Sequence, residues 1–526
     1  MRKQSSYLVG ASSLALATVI AKFIGAFYRI PLTNILGAEG IGIYQLVFPV
    51  YSLLLTSSSG ALPIAVSLII SKHAASEDFE ETKKRFTAIM SIMVLVGLLS
   101  TLGLVLLARP LSLLQRNWFA SIGYVAIAPA VVFVSAIAAF RGYFQGLSDM
   151  KPTSISYITE AITKLAFGLG LSLIFLPLGI QYAVFGALLG VAVSEAITFV
   201  VMYIIYRKRV GKLNLNLNVK ENKKYYKEIL KKSFPISIGG MIIPIVLFID
   251  SVLVVNILMR TGLTLSRATA SYGMLTGPVA SLINLPVVLT LSLGIAVVPA
   301  IAHIKEQRDL AAIKQKSDTA LKLALIIGVP FAVIYFLLAR NILTLLYPRL
   351  SLEEISTGVQ LLQIGAVTVL ILSLMQIYSS LLQGLGKTFI PVKNLALSAT
   401  VKIALDIILL FAIGIAGVAV ATLVCYSMCM ILNLASYKRL TGRNESFLKN
   451  SCIICISGAI MALAVYLASL YLAFYGIIFI IALGAIVYAM ILITSGVFSK
   501  GQLQSLPMSR IWLSASKRLR FWEDKK

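Results

Sequence analysis

Residues 86–108 read FTAIMSIMVLVGLLSTLGLVLLA, twenty-three consecutive positions without a charged side chain. A bilayer core about 30 Å thick is crossed by about 20 apolar residues in a helix. The stretch is therefore long and apolar enough to span a membrane. Similar runs recur along the whole chain, separated by charged or Pro/Gly-containing loops. They predict fourteen spans: 7–28, 42–70, 86–108, 118–140, 154–177, 182–206, 234–258, 270–302, 319–340, 359–382, 393–413, 416–437, 451–472 and 475–498. Composition agrees, with 59% hydrophobic and 13% charged residues in 526, against about 25% charged in a soluble domain. The expected fold class is an all-α polytopic membrane protein.

The formal charge of +26 would suggest a nucleic-acid partner in a soluble protein. Here it reports orientation. With the N-terminus inside and the spans alternating, inside loops hold 35 Lys and Arg, and outside loops hold six: Arg109, Arg116, Arg260, Arg267, Arg340 and Arg349. The positive-inside rule then places both termini in the cytoplasm, with no nucleic-acid partner implied. The start Met1-Arg2-Lys3 looks like a signal peptide, but the apolar run continues past Lys22 without a small-residue cleavage site. It is read as a retained first helix.

The expected organisation is an N-terminal six-helix lobe at 1–206, a basic cytoplasmic loop at 207–232 and a second six-helix lobe at 233–437. A two-helix unit at 438–499 and a basic cytoplasmic tail at 500–526 follow. The tail reads either as an amphipathic segment on anionic lipid or as a frayed basic end. Spans two and eight look interrupted. Ser59, Gly60 and Pro63 mark the break in the first, and Pro286 and Gly294 in the second. Such breaks are tolerated where neighbouring helices or a water-filled cavity satisfy the freed backbone groups.

The two lobes carry related signals. Phe144-Gln145-Gly146-Leu147 with Pro152 recurs as Leu382-Gln383-Gly384-Leu385 with Pro391, at offsets of 238 and 239, the first of which also superposes Lys164 on Lys402. Tyr44, Pro49-Val50 and Ser52-Leu53 recur as Tyr272, Pro278-Val279 and Ser281-Leu282, at offsets of 228 and 229. The common order predicts a duplicated bundle, the architecture in which transporters bind substrate near the bilayer midplane.

The segment KFIGAFYRIPLTNILGAEGIGIYQL at 22–46, with the Phe-Gln-Gly…Pro loop at 144–152 and its second copy at 383–391, resembles the MOP exporter superfamily. Within its polysaccharide transporter branch, the chain is similar to the MurJ-type lipid II flippases, those of the stage V sporulation protein B type among them. The resemblance runs through essentially the whole chain and fits fourteen spans. It implies a central cavity whose basic residues on spans one, two and eight hold a lipid pyrophosphate, and a lipid-tail groove formed by spans thirteen and fourteen. Lys22 matches the first basic position of span one. Tyr28 stands where the next base is expected and Arg29 is one residue on, while span eight carries no base between Arg267 and His303. Arg260 and Arg267 are candidates for the missing charge.

Charges within spans cost about 2.5–3.5 kcal/mol at a helix centre, so they normally face a cavity or a partner. Lys22 and Arg29, seven residues apart, share a face of span one. They would form a cationic stripe in a cavity, although snorkelling suits Arg29 better than Lys22. Glu160 with Lys164, and Lys402 with Asp406, are opposite charges one turn apart. They read as self-neutralised pairs able to re-pair during gating. Asp250 and Glu195 have no nearby base in sequence, and each reads as a coupling site or as a protonated, hydrogen-bonded carboxyl. Cys425 with Cys429, and Cys452 with Cys455, read as packing residues rather than a metal or redox site.

No Walker loop or nucleophile elbow is present, so neither a catalytic residue nor a cofactor is expected. The reading is a transporter, not an enzyme, with a lipid-linked anionic saccharide as substrate and with membrane lipids and cell-wall synthesis proteins as partners. The coupling ion, Na+ or H+, stays open. A MATE-like cation-coupled drug antiporter is the rival within transport. A membrane scaffold for cell-wall enzymes is the rival outside it.

Overall fold

The computed structural model describes residues 2–56, 62–74, 79–213, 219–442, 445–472, 476–495 and 497. These residues form helices throughout. In chain order they are α1 (Arg2–Leu55), α2 (Leu62–Ala74), α3 (Phe79–Leu114), α4 (Phe119–Gly146), α5 (Lys151–Phe175) and α6 (Ile180–Arg209). Next come α7 (Val219–Arg260), α8 (Leu265–Met274), α9 (Ala280–Glu306), α10 (Leu310–Leu337) and α11 (Ala339–Leu346). The series ends with α12 (Leu352–Gly384), α13 (Phe389–Ile413), α14 (Ile415–Thr441), α15 (Glu445–Tyr471) and α16 (Ile477–Thr494).

Thirteen helices among the described residues are long and apolar enough to cross a membrane. The difference from fourteen lies in α1, where expected spans one and two run together. Its candidate segment Leu16–Leu55 has 40 residues, about 60 Å of helix at 1.5 Å per residue and enough for two crossings. Gly37 interrupts it with φ 64° and ψ −178°, a conformation open to a residue without a Cβ. The stretch 207–232, expected as a loop, is helical from Val219 onward.

Packing gathers the chain into two compact units. The first comprises Met1–Ser281, Arg349–Glu354 and Ile403–Val418; the second comprises Leu282–Pro348, Ile355–Lys402 and Ala419–Lys526. In the first unit, Leu46, Val47, Tyr124 and Leu188 are fully buried where α1, α4 and α6 meet. A Cβ on Gly123 would come within 2.8 Å of both Val47 and Leu188, so glycine sets that close approach.

The repeat predicted from short motifs is visible in the packing of each unit. In the first, a Cβ on Gly146 would meet Ile70 at 2.8 Å and the Ser67 carbonyl at 2.9 Å. In the second, a Cβ on Gly384 would meet Ile301 at 2.8 Å and the Val298 carbonyl at 2.9 Å. After the interruption of span two, the register is therefore 231 residues rather than 228 or 229. The helix ends match as well. The Ser148 and Asp149 amides donate to Gln145 and Phe144, as those of Gly386 and Lys387 donate to Gln383 and Leu382. Both turns pass through positive φ, at Ser148 (60°) and Gly386 (77°). The aromatic pair Phe140–Tyr206 in the first unit corresponds to Tyr378–Tyr437 in the second.

The expected helix breaks need correction in span eight. Pro286 and Gly294 lie inside the continuous α9. The irregular turn is earlier, a π-helical stretch at Leu275–Val279 containing Pro278. Gly294 serves packing instead, since a Cβ there would lie 2.6 Å from Ser380 Oγ. Pro63 occupies the second position of α2, where a missing backbone N–H costs nothing. Ser59 and Gly60 lie outside the described residues.

Candidate functional site

Within the first unit, α1 and α5 enclose a cavity of about 190 Å³ lined by Lys22, Gly25, Tyr28, Tyr157, Glu160 and Lys164 among others. The α1 residues project to one side because steps of three and four return to one helix face. A Cβ on Gly25 would meet nothing within 4 Å, so this glycine faces open space. Lys22 is solvent-accessible and makes no ion pair among the described residues. Tyr28 is 4% exposed, and its hydroxyl has no hydrogen-bond partner among the described residues. Gly168 admits that hydroxyl: a Cβ there would stand 2.4 Å from it.

One wall of the cavity belongs to a buried charge network. Glu160 receives Arg141 Nη2 on Oε2 at 2.9 Å and Lys164 Nζ on Oε1 at 3.2 Å. Arg141 also donates from Nε to Ser156 Oγ at 2.8 Å and stacks 4.0 Å over the Tyr157 ring. Lys164 lies 4.0 Å from Glu195 Oε1, which accepts the Tyr51 hydroxyl at 3.4 Å. Four helices thus contribute: α1 with Tyr51, α4 with Arg141, α5 with Glu160 and Lys164, α6 with Glu195. The two bases balance the two acids, leaving Lys22 as the uncompensated cation of the cavity among the described residues.

The Glu160–Lys164 pair forms as the sequence predicts. Glu195, which has no nearby base in sequence, gains its neighbours through folding, which brings α5 and Tyr51 against it. Arg141, one residue past the span expected at 118–140, is buried in α4 and completes the network. Its signal was present in sequence, one turn before Phe144-Gln145-Gly146. The apolar window ends at Phe140, whereas the helix continues to Gly146.

A buried polar tie holds the second half of α1 in place. Gln115 Nε2 donates to the Leu46 carbonyl at 2.8 Å and to Ser251 Oγ at 2.9 Å, while Tyr124 donates to Gln115 Oε1 at 3.0 Å. These bonds tie α1 to α4 and α7 a little over one turn from Tyr51. Sequence reading missed Gln115.

The remaining candidates are not gathered around this cavity. Arg29 is half-buried beside Tyr28. Arg260 is exposed at the end of α7, and Arg267 meets Glu353 at 3.4 Å with both side chains mostly exposed. Asp250 is buried in α7; Lys402 and Asp406 are buried one turn apart on α13.

Residues 7–305 match the family described as polysaccharide biosynthesis protein, more than half of the chain. The chain belongs to this family. Residues 235–408 also match the MatE family. As a member of the polysaccharide biosynthesis family that also matches the MatE family, the chain is a multi-pass membrane protein of a transporter family, not an enzyme. It is 25% identical to "Stage V sporulation protein B" of Bacillus subtilis (strain 168) over 97% of this chain and 99% of that protein. It is 26% identical to "Lipid II flippase MurJ" of the same organism, covering 90% of each. Its fold matches a solved structure titled "Lipid II flippase MurJ, inward closed conformation" with TM-score 0.73 and 18% identity, over 91% of this chain and 97% of that one. An inward-facing multidrug MATE transporter matches with TM-score 0.65 and 14% identity, over 81% and 97%.

Proposed function

We propose that this chain is a flippase that moves undecaprenyl-pyrophosphate-linked peptidoglycan precursor (lipid II), or a related lipid-linked anionic saccharide, from the inner to the outer leaflet. The product would serve cell-wall or spore-cortex synthesis. The observation that carries the reading is Lys22, a cation facing a small cavity without an acid partner among the described residues. A charge at membrane depth is retained where it meets a partner or a substrate. Here Lys22 supplies a cationic donor, which suits a phosphate oxygen.

A pyrophosphate and sugar head cannot cross hydrocarbon unaided. A cavity with fixed donors lowers the barrier while the isoprenoid tail stays in the bilayer, and alternating access carries the head across. No phosphoanhydride is broken, so the drive comes from an ion gradient, the membrane potential or consumption of the product outside. The excess of bases in the loops assigned inside supports a cytoplasmic position for both termini. The similarity to proteins named as a lipid II flippase and a sporulation protein supports the substrate class. A drug-sized ligand needs roughly 300–1,000 Å³, more than the 190 Å³ beside Lys22, which favours a phosphate-sized group there over the antiporter reading.

Lys22→Glu should abolish flipping in a leaflet-specific lipid II accessibility assay while protein levels stay normal, and Lys22→Arg should retain it. Wild-type flipping by Lys22→Glu would sink the reading.

A further inference from the structure

The charge network beside the cavity has one member much less well held than the rest. Both oxygens of Glu160 are occupied by bases, at 2.9 and 3.2 Å. Glu195 is 2% exposed and, among the described residues, has a single long hydrogen bond, from Tyr51 at 3.4 Å, with Lys164 Nζ 4.0 Å from the same oxygen. Lys164 is already committed to Glu160, and Arg141 reaches Glu160 rather than Glu195. The groups facing Glu195 are therefore Tyr51 from α1, Lys164 and Glu160 from α5, and Arg141 from α4, with Ser194 on its own helix donating to the Glu160 carbonyl at 3.2 Å. A buried carboxylate with so little compensation is the group whose charged form folding supports least.

Position matters as much as chemistry. Glu160 and Lys164 line the cavity that Lys22 and Tyr28 face, and Glu195 shares Lys164 with Glu160. While Glu195 is ionised, the two bases and two acids of the network cancel. When it takes a proton, an O–H bond forms on the carboxyl, the network gains one positive charge and Lys164 is left with a single acid. The wall of the cavity then becomes attractive to an anion.

We propose that Glu195 is a proton site coupled to anion binding in this cavity: a proton taken from water neutralises it when the phosphate group binds, and is released when that group leaves. This rests on the flippase reading and names the proton as the ion that works with the site. Coupling between two sites is reciprocal, so proton binding must tighten anion binding by the same factor with which the anion tightens proton binding.

The test uses the full-length protein in lipid nanodiscs and dimethyl pyrophosphate, a doubly charged diester that does not itself titrate near neutrality. Binding heats are measured in two buffers of different ionisation enthalpy, which gives the protons taken up per anion. Wild type should take up a fraction of a proton that approaches a full one as the pH rises into the window where Glu195 is ionised in the free protein. Glu195→Gln should bind the diester without that uptake and, at alkaline pH, about tenfold more tightly than wild type. Tyr51→Phe, which keeps the carboxyl but removes its donor, should move the uptake window to higher pH. Binding by wild type without proton uptake, or equal uptake by Glu195→Gln, overturns the coupling while leaving the flippase reading intact. No binding of the diester by any of the three overturns both.

Discussion

Arg141 carries more of the first unit than its neighbours because it satisfies a buried carboxylate, a serine hydroxyl and an aromatic face at once. Removing it leaves Glu160 with Lys164 alone, while Glu195 draws on the same lysine. Breaking a buried pair from one side typically costs about 3–5 kcal/mol, because the remaining charge stays buried. Arg141→Met should therefore lower the thermal midpoint of the purified protein markedly. The double variant Arg141→Met/Glu160→Met should recover most of the loss, since Lys164 and Glu195 then form a balanced pair. A double variant no more stable than Arg141→Met would show that Arg141 acts through packing rather than through charge.

At the scale of elements, the crossing of α1 over α8 is set by missing side chains. A Cβ on Gly42 would come 2.1 Å from the Thr269 carbonyl oxygen, and one on Gly273 would come 2.0 Å from that of Ala38. Both obstacles are backbone, which cannot rotate away, and small residues are what let membrane helices approach this closely. Gly273→Ala should lower the thermal midpoint, at a cost of about 1–3 kcal/mol or more. Gly103→Ala, in the interior of α3 with nothing within 4 Å of the new methyl, should be neutral or stabilise by about 0.5–1 kcal/mol. Equal losses in the two variants would remove the crossing as the cause. The same contrast explains what the sequence made legible. Apolar length announces a span, so helices such as α3 are evident from residues 86–108 alone. Backbone torsion and close approach are not written in composition. The merging of two spans at Gly37, the π turn at Leu275–Val279 and the partner of Gly273 exist only in three dimensions. The i,i+4 pair Glu160–Lys164 was readable because one helix makes it, whereas Arg141, Tyr51 and Glu195 join it from three other helices.

On the scale of the whole molecule, the duplicated halves have diverged in chemistry while keeping their packing. At the 238-residue offset, Arg141, Ser156 and Glu160 correspond to Ser379, Asn394 and Ser398. The first set forms a charged network. In the second unit, Asn433 donates to Ser379 Oγ at 3.0 Å and accepts from Asn394 at 2.8 Å, joining the same two helix positions with neutral groups. A neutral node satisfies buried polar atoms but gives a proton nothing to titrate near neutrality. Proton sensitivity should therefore reside in the first unit, and the second node should serve stability alone. Asn433→Leu takes this partner from the half-buried Ser379 and Asn394, although Ser379 still donates to the Met375 carbonyl at 2.8 Å, and each lost hydrogen bond costs about 0.5–1.5 kcal/mol. That variant should lose thermal stability yet keep wild-type proton uptake on diester binding. Glu195→Gln should do the reverse, holding its midpoint close to wild type while losing the uptake. Measuring both quantities on both variants checks the division of labour. If Asn433→Leu abolished the proton uptake, the response would have to be shared by the two halves, and the divergence of the repeat would have some other purpose.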